Sequence, residues 1–166
     1  MPEQETVRRA EKKLKEGRSP STAAGEFVRE EMHHVREGKH GAASAKQAIA
    51  IGLSKARRAG VPLRPPKKGV KPSTRHSAEQ AYAAGQGRRK PRAPSRRRSR
   101  AITRALRREP HRAASRKALS RQARQSARKR GRSALVAAAQ KAVRTKGAAA
   151  RRRAARKAAA TRRRHA

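Results

Sequence analysis

Four things are scarce in this chain, and each scarcity closes off a class of protein. There is no cysteine, so a disulfide framework, a thiolate zinc site and a thiol nucleophile are all excluded. Aromatic residues make up 1% of the chain, Phe27 and Tyr82, with no tryptophan. Much of the remaining apolar content is alanine, which buries little area, and area drives folding. Ordering each residue costs ~1–2 kcal/mol, so one core through all 166 residues is not expected. The same shortage leaves nothing in the C-terminal half on which single-stranded bases could stack. Acidic residues number 10 against 49 Lys+Arg. Long apolar runs are absent too: none approaches the ~18 residues of a membrane span. The opening MPEQETVRRAEKKLKEG lacks the apolar stretch of a signal peptide. The protein is expected to stay in the compartment where it is made, away from membranes.

What is abundant is positive charge. The net charge is +39, and its distribution is uneven. Residues 1–64 carry +6 and residues 65–166 carry +33. A near-balanced head followed by a polycationic arm is a common mark of a nucleic-acid-binding protein. Solubility alone needs a net charge of only ~2–8.

The best-defined stretch is SAKQAIAIGLSKARRAG, Ser44–Gly60. Ser44 and Gln47 have capping-box spacing. Ala45, Ala48, Ile49, Leu53 and Ala56 recur at steps of three and four, one face of a helix. Gly60 and Pro62 stop it. Upstream, Pro2–Glu16 has glutamates early and lysines late, the order that suits the helix dipole. Ser19-Pro20 opens a second helix that runs to about Glu37. Its apolar face carries Ala24, Phe27, Val28, Met32 and Val35, and Phe27 and Met32 are expected to pack against Ile49 and Leu53. Gly25 weakens this helix or admits a close neighbour.

Residues 61–98 read as a Pro/Gly-rich basic linker with a short helix near 77–84. From Ser99 the tail is a loose repeat of Ala/Arg/Lys units opened by Ser99, Ser115 and Ser133, read as N-caps. Its residues favour helix, but like charges four apart oppose it. The tail is therefore expected to be disordered or transiently helical when free. The fold class expected is all-α, with about three helices in residues 1–60, the linker in 61–98, and a polycationic tail over 99–166.

The residues expected to contact phosphate are Arg96, Arg97, Arg98, Arg100, Arg104, Arg107 and Arg108, then Arg128, Lys129 and Arg130. Arg151, Arg152, Arg153, Arg156, Lys157, Arg162, Arg163 and Arg164 complete the set. A guanidinium suits phosphate because its planar fork donates two hydrogen bonds at once. No zinc-finger spacing and no complete helix-turn-helix reads base sequence, since Pro62 arrives before a recognition helix could form. His33 and His34, with Glu30, Glu37 and His40 nearby, raise the question of a metal. Adjacent histidines diverge by about 100° on a helix, and no third ligand at fixed geometry is evident. No metal site or other cofactor is expected. No catalytic triad, carboxylate pair or P-loop is present, and the head's glutamates all read as exposed.

The stretch SPSTAAGEFVREEMHHVREGKHGAASAKQAIAIGLSKARRAG, through its AGEFVREE and KQAIAIGLSKAR strings, is similar to a family of small basic bacterial proteins known by a domain of unknown function. The tail elements ALSRQA and KAVRTKGAAA resemble tails in that family. The resemblance implies bacterial origin more than mechanism. The tail also resembles, in composition, the arms of linker histones and bacterial histone-like proteins, though it is richer in arginine.

Together these features point to a non-enzymatic, histone-like, nucleoid-associated cytoplasmic protein that binds DNA with little sequence preference. An RNA- or ribosome-associated protein is the alternative, as is a protein-binding head tethered to nucleic acid by the tail. Self-association through the thin head core is a further expectation. No small-molecule substrate is implied.

Overall fold

The computed structural model describes residues 2–67, 69–89 and 95–164, and every regular element in them is helical. The order is α1 (Gln4–Lys15), α2 (Pro20–Arg36), α3 (Ala45–Arg58), α4 (Pro72–Gly85), α5 (Arg96–Arg108), a 3-10 turn (His111–Ala114) and α6 (Arg116–Arg164). Contacts divide the chain into two units, residues 1–122 and 123–166.

The local signals explain the starts of the first helices. The Ser19 side chain accepts from the Thr22 N–H and Pro20 occupies the first turn of α2, so two orphan positions are resolved where the helix begins. Ser44 Oγ likewise accepts from Gln47 N–H at 3.2 Å. The Gln47 side chain reaches back to the Ala43 N–H at 2.9 Å. Pro72 supplies the first turn of α4, so this helix begins before the 77–84 stretch expected for it.

In the first unit α2 is central. It packs on α1 and α3, and α3 packs on α4. One apolar cluster joins Ala10, Ala23, Ala24, Phe27, Ala56 and Val61, with Leu53 against it. A second joins Met32, Val35, Ala42, Ala48, Ala113 and Ala114, with Val28, Ile49 and Leu119 against it. Small side chains suffice because the helices approach closely. A Cβ built on Gly52 would lie 2.7 Å from the Val28 Cα and 3.0 Å from the Phe27 carbonyl oxygen. The close neighbour therefore sits at Gly52. Gly25 has nothing near its Cβ position.

Because both flanks of α2 are covered, its carboxylates are covered too. Glu26, Glu30 and Glu31 are buried, which overturns the expectation that the head's glutamates are exposed. Glu26 pairs with Arg9 and Lys13 of α1. The Lys13 hydrogen bond, with the charges of Lys13, Arg9 and Arg29, holds its carboxyl below the ordinary value against the opposing effect of burial. Lys55 of α3 lies 3.3 Å from Glu30 and 2.8 Å from Glu31.

The largest correction concerns the tail. Residues 95–164 are helical almost throughout, where a disordered or transiently helical segment was expected. The propensity argument outweighs the repulsion argument on magnitude. Like charges do stand four apart, as at Arg96, Arg100, Arg104 and Arg108, but each such pair costs only ~0.2–0.5 kcal/mol. Ala, Leu, Arg, Lys and Gln, which make up most of these helices, are the strongest helix formers. The interruptions in α6 come at Gly131 (φ 77°) and Gly147 (φ 65°), a left-handed conformation that glycine adopts without a Cβ clash. They leave helical pieces over 116–130, 132–146 and 148–164. The remaining parts of the basic linker, residues 68 and 90–94, lie outside the described residues.

The 3-10 turn belongs to the first unit's core. Ala113 and Ala114 are buried, and Arg36 Nε donates to the Ala114 carbonyl at 3.0 Å. The Gly41 N–H donates to the Leu106 carbonyl at 2.8 Å. The C-terminal end of α5 is therefore tied to the loop between α2 and α3.

Candidate nucleic-acid interface

α5 places most of its charge on one side. At 100° per residue, Arg96, Arg107, Arg100, Arg104, Arg97 and Arg108 fall within an arc of about 120°. Ile102 and Leu106 lie roughly opposite. Those two side chains line a groove of about 970 Å³ together with Val7 of α1 and Ile51 of α3. The apolar side of α5 thus faces the head and the arginine arc faces outward. All seven arginines of the helix are exposed. Arg98, near 200° on the same wheel, stands outside the arc.

No carboxylate pairs with them among the described residues. The ion pairs of the head are internal: Arg9 and Lys13 with Glu26, Lys55 with Glu30 and Glu31. The buried acids of the head are paired within it. Ser99 lies inside α5, whose N-cap is Ser95, so its reading as an N-cap is corrected. Ser115 does cap, accepting from the Ala118 N–H at 3.2 Å.

In the second unit Arg128, Lys129 and Arg130 are exposed, as are Arg151, Arg152, Arg153, Arg156, Lys157, Arg162, Arg163 and Arg164. They do not form a face. Consecutive positions are about 100° apart, so the cations of residues 148–164 spread over about 240° of the helix. Arg151 Nε donates to the Gly147 carbonyl of its own helix at 3.3 Å.

Sequence reasoning passed over several cations. Lys117 and Arg121, one turn apart and exposed, lie on the side of α6 opposite Leu119, which packs on the head. Arg124, exposed in the second unit, stands one turn before Arg128. Their signal was there as a cationic step of four residues, less conspicuous than a triplet.

This arrangement can bind phosphates through forked hydrogen bonds and release their counterions. α5 and α6 carry no aromatic side chain on which single-stranded bases could stack. Among the described residues no helix is long and apolar enough to cross a membrane.

No curated protein and no solved structure matches the chain. Residues 19–68, which hold α2, α3 and the buried glutamates but none of the arginine triplets, are similar to a protein family described as a family of unknown function (DUF6496).

Proposed function

We propose that the chain is a non-enzymatic, histone-like protein that binds double-stranded DNA along its phosphates with little sequence preference and acts in the nucleoid. The observation that carries this reading is the outward arginine arc of α5, which has no carboxylate partner among the described residues while the head's carboxylates are held internally. A preformed helix tied to the head at its C-terminal end loses less freedom on binding than a coil would, and that loss is a principal cost of association. The helices of the second unit extend the same chemistry.

The expected size follows from counterion release at about −0.9 in log K against log salt per phosphate contact. Six contacts from α5 alone give a slope near −5, or a loss of roughly a thousandfold in affinity between about 50 and 200 mM salt. The test is an anisotropy titration of the full chain onto labelled duplexes of unrelated sequence at several salt concentrations, with double-stranded RNA as competitor. The reading expects a slope of −5 or steeper, similar affinities across sequences, and DNA as the better competitor. Absence of binding at physiological salt, or a slope near zero, overturns it. RNA outcompeting DNA replaces DNA with RNA as the ligand.

A further inference from the structure

We propose that Glu31, His34 and His40 bind one divalent transition-metal ion, with zinc the best-fitting, and that this ion staples the head together. Glu31 and His34 are neighbours on α2, three residues apart. The loop that follows α2 brings His40 over them. Their ligating atoms lie within 4.8 Å of one another. Tetrahedral zinc with bonds of about 2.0–2.2 Å places its donors roughly 3.3 Å apart. Glu31 Oε1 and His40 Nε2 already stand at 3.3 Å.

A second observation points to a ligand. Glu31 is fully buried, yet neither of its carboxylate oxygens accepts a well-directed hydrogen bond among the described residues. Lys55 Nζ sits 2.8 Å from Oε2, which leaves Oε1 beside the His40 imidazole. A buried carboxylate oxygen without a hydrogen bond is costly, and coordination would satisfy it. Lys55 is shared with Glu30 at 3.3 Å, so its charge is not directed at the ion alone.

The outer partners also fit. Metal-bound imidazoles hold their other nitrogen with a carbonyl or carboxylate. His40 Nδ1 is 3.1 Å from the Gly41 carbonyl, and the tautomer that donates there turns the Nε2 lone pair toward Glu31. His34 Nε2 is 2.9 Å from Glu3 Oε1, so a carboxylate at the start of α1 backs the second imidazole. Two imidazoles and one carboxylate leave a fourth position for water. This donor set favours zinc and its neighbours over magnesium or calcium. The ion would join α2, the loop before α3 and, through Glu3, the start of α1. Adjacent His33, which drew attention in the sequence, is exposed and takes no part.

The test uses the full chain, freed of nucleic acid by nuclease and high salt and stripped of metal by a chelator. Calorimetric titration with zinc chloride measures affinity and stoichiometry, and visible absorption with cobalt(II) reports geometry. One site is expected, with the intense d–d bands of tetrahedral cobalt. His34→Ala, His40→Ala and Glu31→Gln should each weaken zinc at least about 10-fold, since even outer-partner changes cost 10–100-fold. His33→Ala should leave affinity unchanged. If Glu31→Gln does not fold, judged by circular dichroism, the two part-exposed histidines carry the test. Absence of saturable zinc binding, or affinity unaltered in His40→Ala, overturns the proposal. The trio would then be a polar cluster packed around Glu31, with no role in holding an ion.

Discussion

Replacing Arg100, Arg104 and Arg107 with glutamine removes the middle of the α5 arc while keeping a good helix former at each position. These side chains are exposed, so the fold has no stake in them. If each meets one phosphate, the salt slope should become shallower by about 2.7. The same relation fixes the affinity at a given salt. With binding near 1 M unchanged, each lost contact costs about 0.7 log units at about 0.15 M, so the triple variant should bind duplex DNA roughly 150-fold more weakly. Arg98→Gln is the matched control, because Arg98 stands outside the arc, toward the apolar side of the helix. Its effect on the slope should be much smaller than one contact's worth. Both variants and the parent would be titrated onto the same labelled duplex at four or five salt concentrations, with helicity checked by circular dichroism. A triple variant whose slope matches the parent's, or an Arg98→Gln slope that falls as much per residue as the triple's, would refute the assignment of the arc as the phosphate-facing side. A weaker affinity with an unaltered slope would mean that the lost contacts were not to phosphate.

Three further outcomes concern the head. Gly52→Ala should destabilise it by about 1–3 kcal/mol, because the new Cβ meets α2 backbone that cannot turn aside, whereas Gly25→Ala, in open space on the exposed side of α2, should stabilise it by up to about 1 kcal/mol; thermal unfolding followed by circular dichroism distinguishes the two signs. Phe27→Ala removes the largest fully buried side chain and should cost about 3–5 kcal/mol in a urea titration. The Glu26 carboxyl lies below its ordinary value of 4.5 in the folded chain, so its contribution is present above that value and lost as pH falls through the lowered folded value. The urea midpoint should therefore fall on acidification over that range, and Glu26→Gln should show a smaller fall.

The starts of the helices were legible because their causes are local. Ser19-Pro20 and Ser44 with Gln47 cap the helices that the spacing marked, since a cap involves residues at most a few positions apart. The steps of three and four in Val28, Met32 and Val35 and in Ile49, Leu53 and Ala56 record which side of each helix is apolar, and these residues sit in or against the two apolar clusters. The order of the tail was harder to read because two local effects oppose each other there: like charges four apart disfavour helix, Ala, Arg and Lys favour it, and the second outweighs the first. What could not be read were the pairings. Glu26, Glu30 and Glu31 looked like solvated charges until α1 and α3 were packed on either side of α2, bringing Arg9, Lys13 and Lys55 to them.

By itself, then, the sequence determined the composition of this protein's surface and the places where its helices begin and stop. A charge of +33 in residues 65–166 and the absence of cysteine hold in any fold, and caps act within a few residues. Only the tertiary structure decided which glycine carries a helix crossing, that α5 turns its arginines outward by laying Ile102 and Leu106 toward the head, and that His40 meets Glu31 and His34. Those outcomes depend on the distance between elements, and distance between elements is set by packing.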